Sequence, residues 1–136
     1  MDVIKSGARP TKRGPAEYFT GEVFQDPIIE APAPARIRAV VVHFMPGART
    51  NWHTHPLGQT LRVLSGVGRV QKEGDGVQEI LPGDTVWIPP GERHWHGAAP
   101  GHAMTHLAMQ EFDAEAGNHI AWAEPVAEED YAAEPR

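Results

Sequence analysis

His53 and His55 stand two residues apart in 51-NWHTHPLGQT-60, and Gln59 follows after three intervening residues. In a strand, residues two apart share a face, so both imidazoles can look into one interior while Trp52 and Thr54 turn away. Paired histidines at this spacing suit a metal ion, and an amide oxygen is an acceptable further ligand where a carboxylate would be expected. Gln59 lies beyond the Pro56-Leu57-Gly58 break, where a turn can present it from the next strand. Further along, 83-GDTVWIPPGERHWHGA-98 brings His94 and His96 after a Pro-Pro-Gly turn, and they again share a face. Isolated His-x-His pairs are mostly surface or hydrogen-bonded histidines, and Gln59 by itself could be a core amide. The weight comes from the context of both segments.

The elements that must position these residues are short. Fourteen glycines and thirteen prolines interrupt a chain of 136 residues, which is 40% hydrophobic. Between the breaks lie 36-RIRAVVVHF-44, 60-TLRVLSGVGRVQ-71, 77-VQEIL-81, 85-TVWIP-89 and 103-AMTHLAMQEF-112. Short β-branched or aliphatic stretches at this spacing predict an all-β sandwich or barrel, although the composition of 103–112 also suits a helix. In 103–112, strand alternation sets His106, Ala108 and Gln110 on one face. If that face turns inward, it adds an imidazole, a small residue and an amide to the wall beside the metal. The organisation expected is an N-terminal arm over 1–35 that packs on the barrel or on a partner subunit, a barrel over 36–112, and a C-terminal helix or tail over 113–136. The 32-PAPA-35 stretch reads as a stiff, extended connector. His43, His102 and His119 have no such context and read as ordinary histidines, and the four tryptophans read as core or subunit packing.

Composition bounds the partners. A formal charge of −6 argues against nucleic acid, and no apolar run is long enough for a transmembrane helix. The first residues have no apolar stretch of the secretory type, and a cytoplasmic location is the default expectation. Cysteine is absent, so thiolate chemistry and disulfides are excluded.

Taken together, 47-GARTNWHTHPLGQTLRVLSG-66 and the 83–98 segment resemble the paired motifs of the cupin superfamily, with sixteen residues between them. Two departures stand out: Gln59 replaces the usual glutamate and Ala98 the usual asparagine. The resemblance implies a double-stranded β-helix, the jelly-roll barrel, in one domain. It also implies one divalent metal held by His53, His55, Gln59 and His94, with about two coordination positions open for chemistry. Four neutral ligands leave the ion its full charge, which favours Lewis acidity and disfavours a +3 state. The reading therefore tilts from dioxygenase towards lyase or hydrolase.

Within that superfamily the chain is similar to the manganese-dependent (R)-hydroxynitrile lyases of bacteria, through 14-GPAEYFTGEV-23, 46-PGARTNWHTHPLGQTL-61, 82-PGDTVWIPPGERHWHGAAP-100 and 103-AMTHLAMQE-111. Gln59 is part of that pattern. The likeness implies reversible cleavage of a cyanohydrin into an aldehyde or ketone and hydrogen cyanide. It also implies manganese, with iron, zinc or nickel as occupants of recombinant protein. His106 is expected as the principal acid–base residue and His96 as its alternative, with Gln110, Val40, Val42 and Ala108 around a small-molecule substrate. A homodimer or homotetramer is expected, because Tyr18, Phe19, Val23 and Phe24 make the arm too apolar to stay solvated. Two rivals are a non-haem iron dioxygenase or oxidative decarboxylase acting on a small organic acid, and a non-catalytic cupin that binds a metal or small ligand.

Overall fold

Valine, isoleucine, threonine and aromatic residues fill the segments between the Pro-Gly breaks, and these segments pair as antiparallel strands. The computed structural model describes residues 1–136. Its first strands are β1 (Lys12–Arg13), β2 (Phe19–Thr20), β3 (Val23–Glu30), β4 (Ile37–Phe44), β5 (Arg49–Thr50) and β6 (His53–Thr54). There follow β7 (Gln59–Gly66), β8 (Gly68–Lys72), β9 (Gln78–Ile80) and β10 (Thr85–Ile88). The last are β11 (His94–Ala98), β12 (Met104–Glu111) and β13 (Ala121–Trp122), ahead of a single turn of helix, α1 (Glu128–Tyr131). No helix is long and apolar enough to cross a membrane.

Six strands form one sheet in the order β1-β3-β4-β12-β7-β10. The other sheet contains the run β13-β6-β11-β5-β2, with β8 paired to β11 and β9 to β8. From β4 onwards the chain passes repeatedly between the sheets, which is the winding of a jelly roll. The inner faces meet in a core that includes Val23, Val42, Phe44, Val63, Val70, Ile80 and Met104. Segment 103–112 is strand, not helix: β12 lies between β4 and β7, where backbone pairing on both sides outweighs the helical preference of its residues.

Two features of the chain ends differ from the sequence reading. β3 runs antiparallel to β4 from Val23↔Phe44 to Glu30↔Arg38, so this part of the expected arm is a full strand of the first sheet. The 32-PAPA-35 stretch is not extended. It makes the turn between those strands, with the Ala35 N–H donating to Pro32 O at 3.1 Å. Phe19 and Val23 are buried in the chain's own core, and Tyr18 packs against it.

The C-terminal segment covers the outer side of β11. Alternation along β11 turns Trp95 away from His94 and His96 into a second cluster with Trp52, Val77, Val126 and Tyr131. The Tyr131 hydroxyl donates to Ala98 O at 2.6 Å, and the Arg49 guanidinium lies 4.1 Å from the Tyr131 ring centre. Arg49 also donates to Val126 O at 3.2 Å and to Glu128 at 3.0 Å. The strand that carries two site histidines is thus held from behind by the last turn of the chain. Tyr131→Ala should lower the unfolding free energy by about 3–5 kcal/mol, the range for emptying a buried aromatic site. Tyr131→Phe, which loses one hydrogen bond, should cost about 1 kcal/mol. Urea denaturation checks both, and an alanine variant as stable as the parent would contradict this role.

Candidate metal centre

Strand register assembles the site. His94 on β11 pairs with His53 on β6, and Gln110 on β12 pairs with Gln59 on β7. Between His55 and Gln59 the chain reverses at Gly58, whose φ of 81° is a conformation glycine adopts freely. A Cβ there would also stand 2.6 Å from the Trp87 ring, so the turn has no room for a side chain. Alternation along β12 turns His106, Ala108 and Gln110 inward, as the sequence predicts. His53, His55, Gln59, His94, His96, His106 and Gln110 are all buried.

Backbone carbonyls orient three of the imidazoles. His53 Nδ1 lies 2.9 Å from Asn51 O, His55 Nδ1 2.7 Å from His119 O, and His94 Nδ1 2.9 Å from Glu92 O. A carbonyl only accepts, so each Nδ1 carries the proton and each Nε2 keeps a lone pair. Metal-ligating histidines are held in this way. Gln59 Nε2 donates to Gln110 Oε1 at 3.2 Å, which turns Gln59 Oε1 towards His94 Nε2, also at 3.2 Å. With the His94 proton on Nδ1, both atoms are acceptors, and two acceptors turned on one another at that distance fit a bound cation.

The Nε2 atoms of His55 and His96 are buried with no hydrogen-bond partner. Leaving a buried polar atom unpaired costs about 1–3 kcal/mol, so the His55 orphan fits a bound ion, and the His96 orphan fits an ion or a substrate group in the cavity. The ligand atoms of His53, His94 and His96 lie within 4.8 Å of one another, a three-histidine group that could hold a metal. His96 differs from the others in its orienting partner: its Nδ1 faces His106 Nε2 at 2.9 Å rather than a carbonyl.

The site opens into a cavity of about 690 Å³. His53, His55, Gln59 and His96 lie at its inner surface, Val40, Val42 and Ala108 on the β4–β12 side, and Tyr18 and Trp122 opposite. Gln110 also reaches it, whereas His106 does not line it and sits behind His96. Glu30 is the only acidic residue of the wall, against Arg9, Lys12 and Arg38. Burial pushes the His55, His94 and His106 imidazoles down to about 4. His53 and His96 lie well below the ordinary 6.5, first through burial and then through neighbouring imidazoles. All five are neutral at pH 7, as metal ligation and proton acceptance both require.

The sequence alone does not mark two residues of the wall. Trp122 pairs in register with His53 and stacks on Tyr18, with ring centres 4.7 Å apart. His119, set aside as an ordinary histidine, supplies the carbonyl for His55 and lines the cavity. No local motif marks these residues, because β13 brings them to the site from the far end of the chain. His43 fits the ordinary reading, since Asp26 and Thr105 hydrogen-bond its two ring nitrogens at 2.7 and 3.0 Å.

Neutral buried imidazoles link stability to pH. In metal-free protein their folded pKa values lie below the unfolded 6.5, so the unfolded state binds more protons at mildly acid pH. Their contribution is complete above about pH 6.5 and is lost as pH falls towards about 4. With a chelator present, unfolding free energy should drop by more than about 1 kcal/mol between pH 6.5 and roughly 5, where few carboxylates titrate. A flat profile over that interval would contradict the protonation states assigned above.

Comparison with known proteins agrees with the geometry. Residues 40–109 match the cupin domain. The chain is 54% identical over 132 residues to (R)-mandelonitrile lyase of Granulicella tundricola, spanning 96% of this chain and 98% of that protein. A cupin-like protein of Thermotoga maritima superposes with a TM-score of 0.81 at 35% identity, over 96% of this chain and 95% of the other. A polyketide cyclase of Streptomyces resistomycificus superposes at 0.71 with 19% identity, over 97% and 90% of the two chains, a likeness of fold alone. The motif spacing read from the sequence, the winding of the two sheets and these matches coincide: the chain belongs to the cupin family.

Proposed function

We propose that the protein is a metal-dependent lyase that cleaves and re-forms cyanohydrins, releasing an aldehyde or ketone and hydrogen cyanide. The observation that carries this reading is the convergence of neutral donors, Gln59 Oε1 with the histidine Nε2 atoms, beside an imidazole pair of which His96 reaches the cavity. The similarity to a mandelonitrile lyase over almost the whole chain supports it. His53, His55, Gln59 and His94 are the ligands we assign, because three have their Nδ1 protons placed by carbonyls and the fourth has its amide turned by Gln110. Manganese is the ion we propose; imidazoles also accept nickel, zinc or iron in vitro.

A divalent ion held by neutral ligands supplies Lewis acidity that lowers the pKa of a cyanohydrin hydroxyl and stabilises the alkoxide, worth several kcal/mol. The protein's own groups carry the proton. With the proton shared between the two rings residing on His96 Nδ1, His96 Nε2 offers a lone pair to the cavity and takes the hydroxyl proton. His106 Nε2, 2.9 Å from His96 Nδ1, holds the ring and spreads the charge over both imidazoles. As the carbon–carbon bond breaks, its electron pair leaves with the cyanide carbon and the alkoxide carbon becomes a carbonyl. His96 then returns its proton to cyanide, giving hydrogen cyanide. Burial lowers the pKa of both rings, so the cation formed is a strong acid and gives the proton back readily. Val40, Val42 and Ala108 offer the substituent an apolar wall.

Manganese-loaded protein should cleave mandelonitrile, measured by the absorbance of released benzaldehyde. Oxygen uptake without cyanide release would instead favour the dioxygenase reading. His96→Ala and His106→Ala should each retain metal yet lower turnover by about 10²-fold or more, the range for losing one acid–base group. His53→Ala should lose both metal and activity. Gln59→Glu should keep the metal and turn over more slowly, because a negative ligand weakens Lewis acidity. Parent-like activity in Gln59→Glu would rule out the electrostatic part of this mechanism.

A further inference from the structure

His119 touches both arms of the donor set. Its carbonyl accepts from His55 Nδ1 at 2.7 Å, and its ring Nδ1 accepts from Gln110 Nε2 at 3.1 Å. Gln110 Oε1 accepts in turn from Gln59 Nε2 at 3.2 Å, and Gln59 Oε1 faces His94 Nε2. We propose that His119 is a positioning residue: acting through Gln110, its ring determines which end of the Gln59 amide faces the metal centre. The inference rests on Gln59 being a ligand, as argued above.

A primary amide has a donor end and an acceptor end, so two amides in series transmit direction. With an acceptor at His119 Nδ1, Gln110 must turn its NH₂ that way and its oxygen towards Gln59. Gln59 then gives its NH₂ to Gln110 and keeps its oxygen for the ion. Reversing Gln110 would reverse Gln59 and aim two N–H bonds at His94 Nε2, where no cation could be held. The carbonyl of His119 belongs to the backbone and survives any substitution. The ring alone carries the orienting role.

The ring can therefore be tested separately. Manganese(II) affinity is measured by competition with a chromogenic chelator, alongside the melting temperature of each metal-free variant. His119→Leu, which has no acceptor, should bind manganese about tenfold or more weakly, within the 10–100-fold range for residues that orient metal ligands. His119→Asn, whose Oδ1 can accept from Gln110, should stay within about threefold of the parent. Gln110→Leu should weaken binding as His119→Leu does, and the double variant should be no weaker than either single one. Metal-free melting temperatures should match the parent's.

Parent-like affinity in His119→Leu overturns the proposal. So does a loss that Asn fails to rescue, or one accompanied by a fall in metal-free melting temperature. Gln59→Leu separates this inference from its premise. If Gln59→Leu loses affinity and His119→Leu does not, the relay alone is wrong. If Gln59→Leu binds manganese like the parent, the ligand assignment fails and the relay with it.

Discussion

Lone pairs turned on one another inside an apolar barrel are the constraint on which the rest of the structure depends. Gln59 Oε1 and His94 Nε2 meet at 3.2 Å with no proton between them, and His55 Nε2 is buried without a partner. Folding bears this cost, and a cation bound at these atoms would offset it. Metal affinity and stability are therefore linked: an ion that binds only the folded chain stabilises it by mass action. The barrel makes the arrangement persist by committing backbone carbonyls to the opposite side of each ring. Asn51, Glu92 and His119 each supply one such oxygen.

Rigid strands, more than loops, hold these groups. β6 and β11 set His53 against His94, while β7 and β12 set Gln59 against Gln110. β11 is braced from outside by Trp95, Tyr131 and the Arg49 guanidinium, so its inner face keeps a fixed height in the cavity. Placement on packed strands suits chemistry that needs donors and a proton acceptor within a fraction of an ångström of their working positions. The hydrogen-bonded imidazole pair follows the same logic: His96 reaches the cavity, and His106 stands behind it with no exposure of its own.

The absence of a carboxylate at the centre gives the site its chemical character. Histidines and an amide add no charge, so an ion there would act on a substrate oxygen with its full charge. Arg9, Lys12 and Arg38 in the cavity wall, with Glu30 as its only acid, add to that polarity. This local polarity is opposite to that of the chain as a whole, which carries −6.

Much of this was legible in the residues. The spacing of His53, His55, Gln59 and His94 in two Gly-bounded segments pointed to the family and the metal. The two-residue period of strands placed His96, His106, Ala108 and Gln110 inward, because side-chain alternation is a local property of extended chain. Contacts between distant segments were decided only by the tertiary structure. Periodicity shows which face His106 occupies, but not that it stands behind His96 rather than in the cavity. The 32-PAPA-35 stretch became a turn because β3 and β4 pair along their length, which proline content alone does not reveal. His119 looked ordinary because its partners lie far away in sequence: the register Trp122↔His53 carries it to His55 and Gln110. Local alternation follows from the covalent geometry of each strand. Register between strands follows from the packing of the whole barrel, and that is why the histidine motifs were readable while the groups that orient their side chains were not.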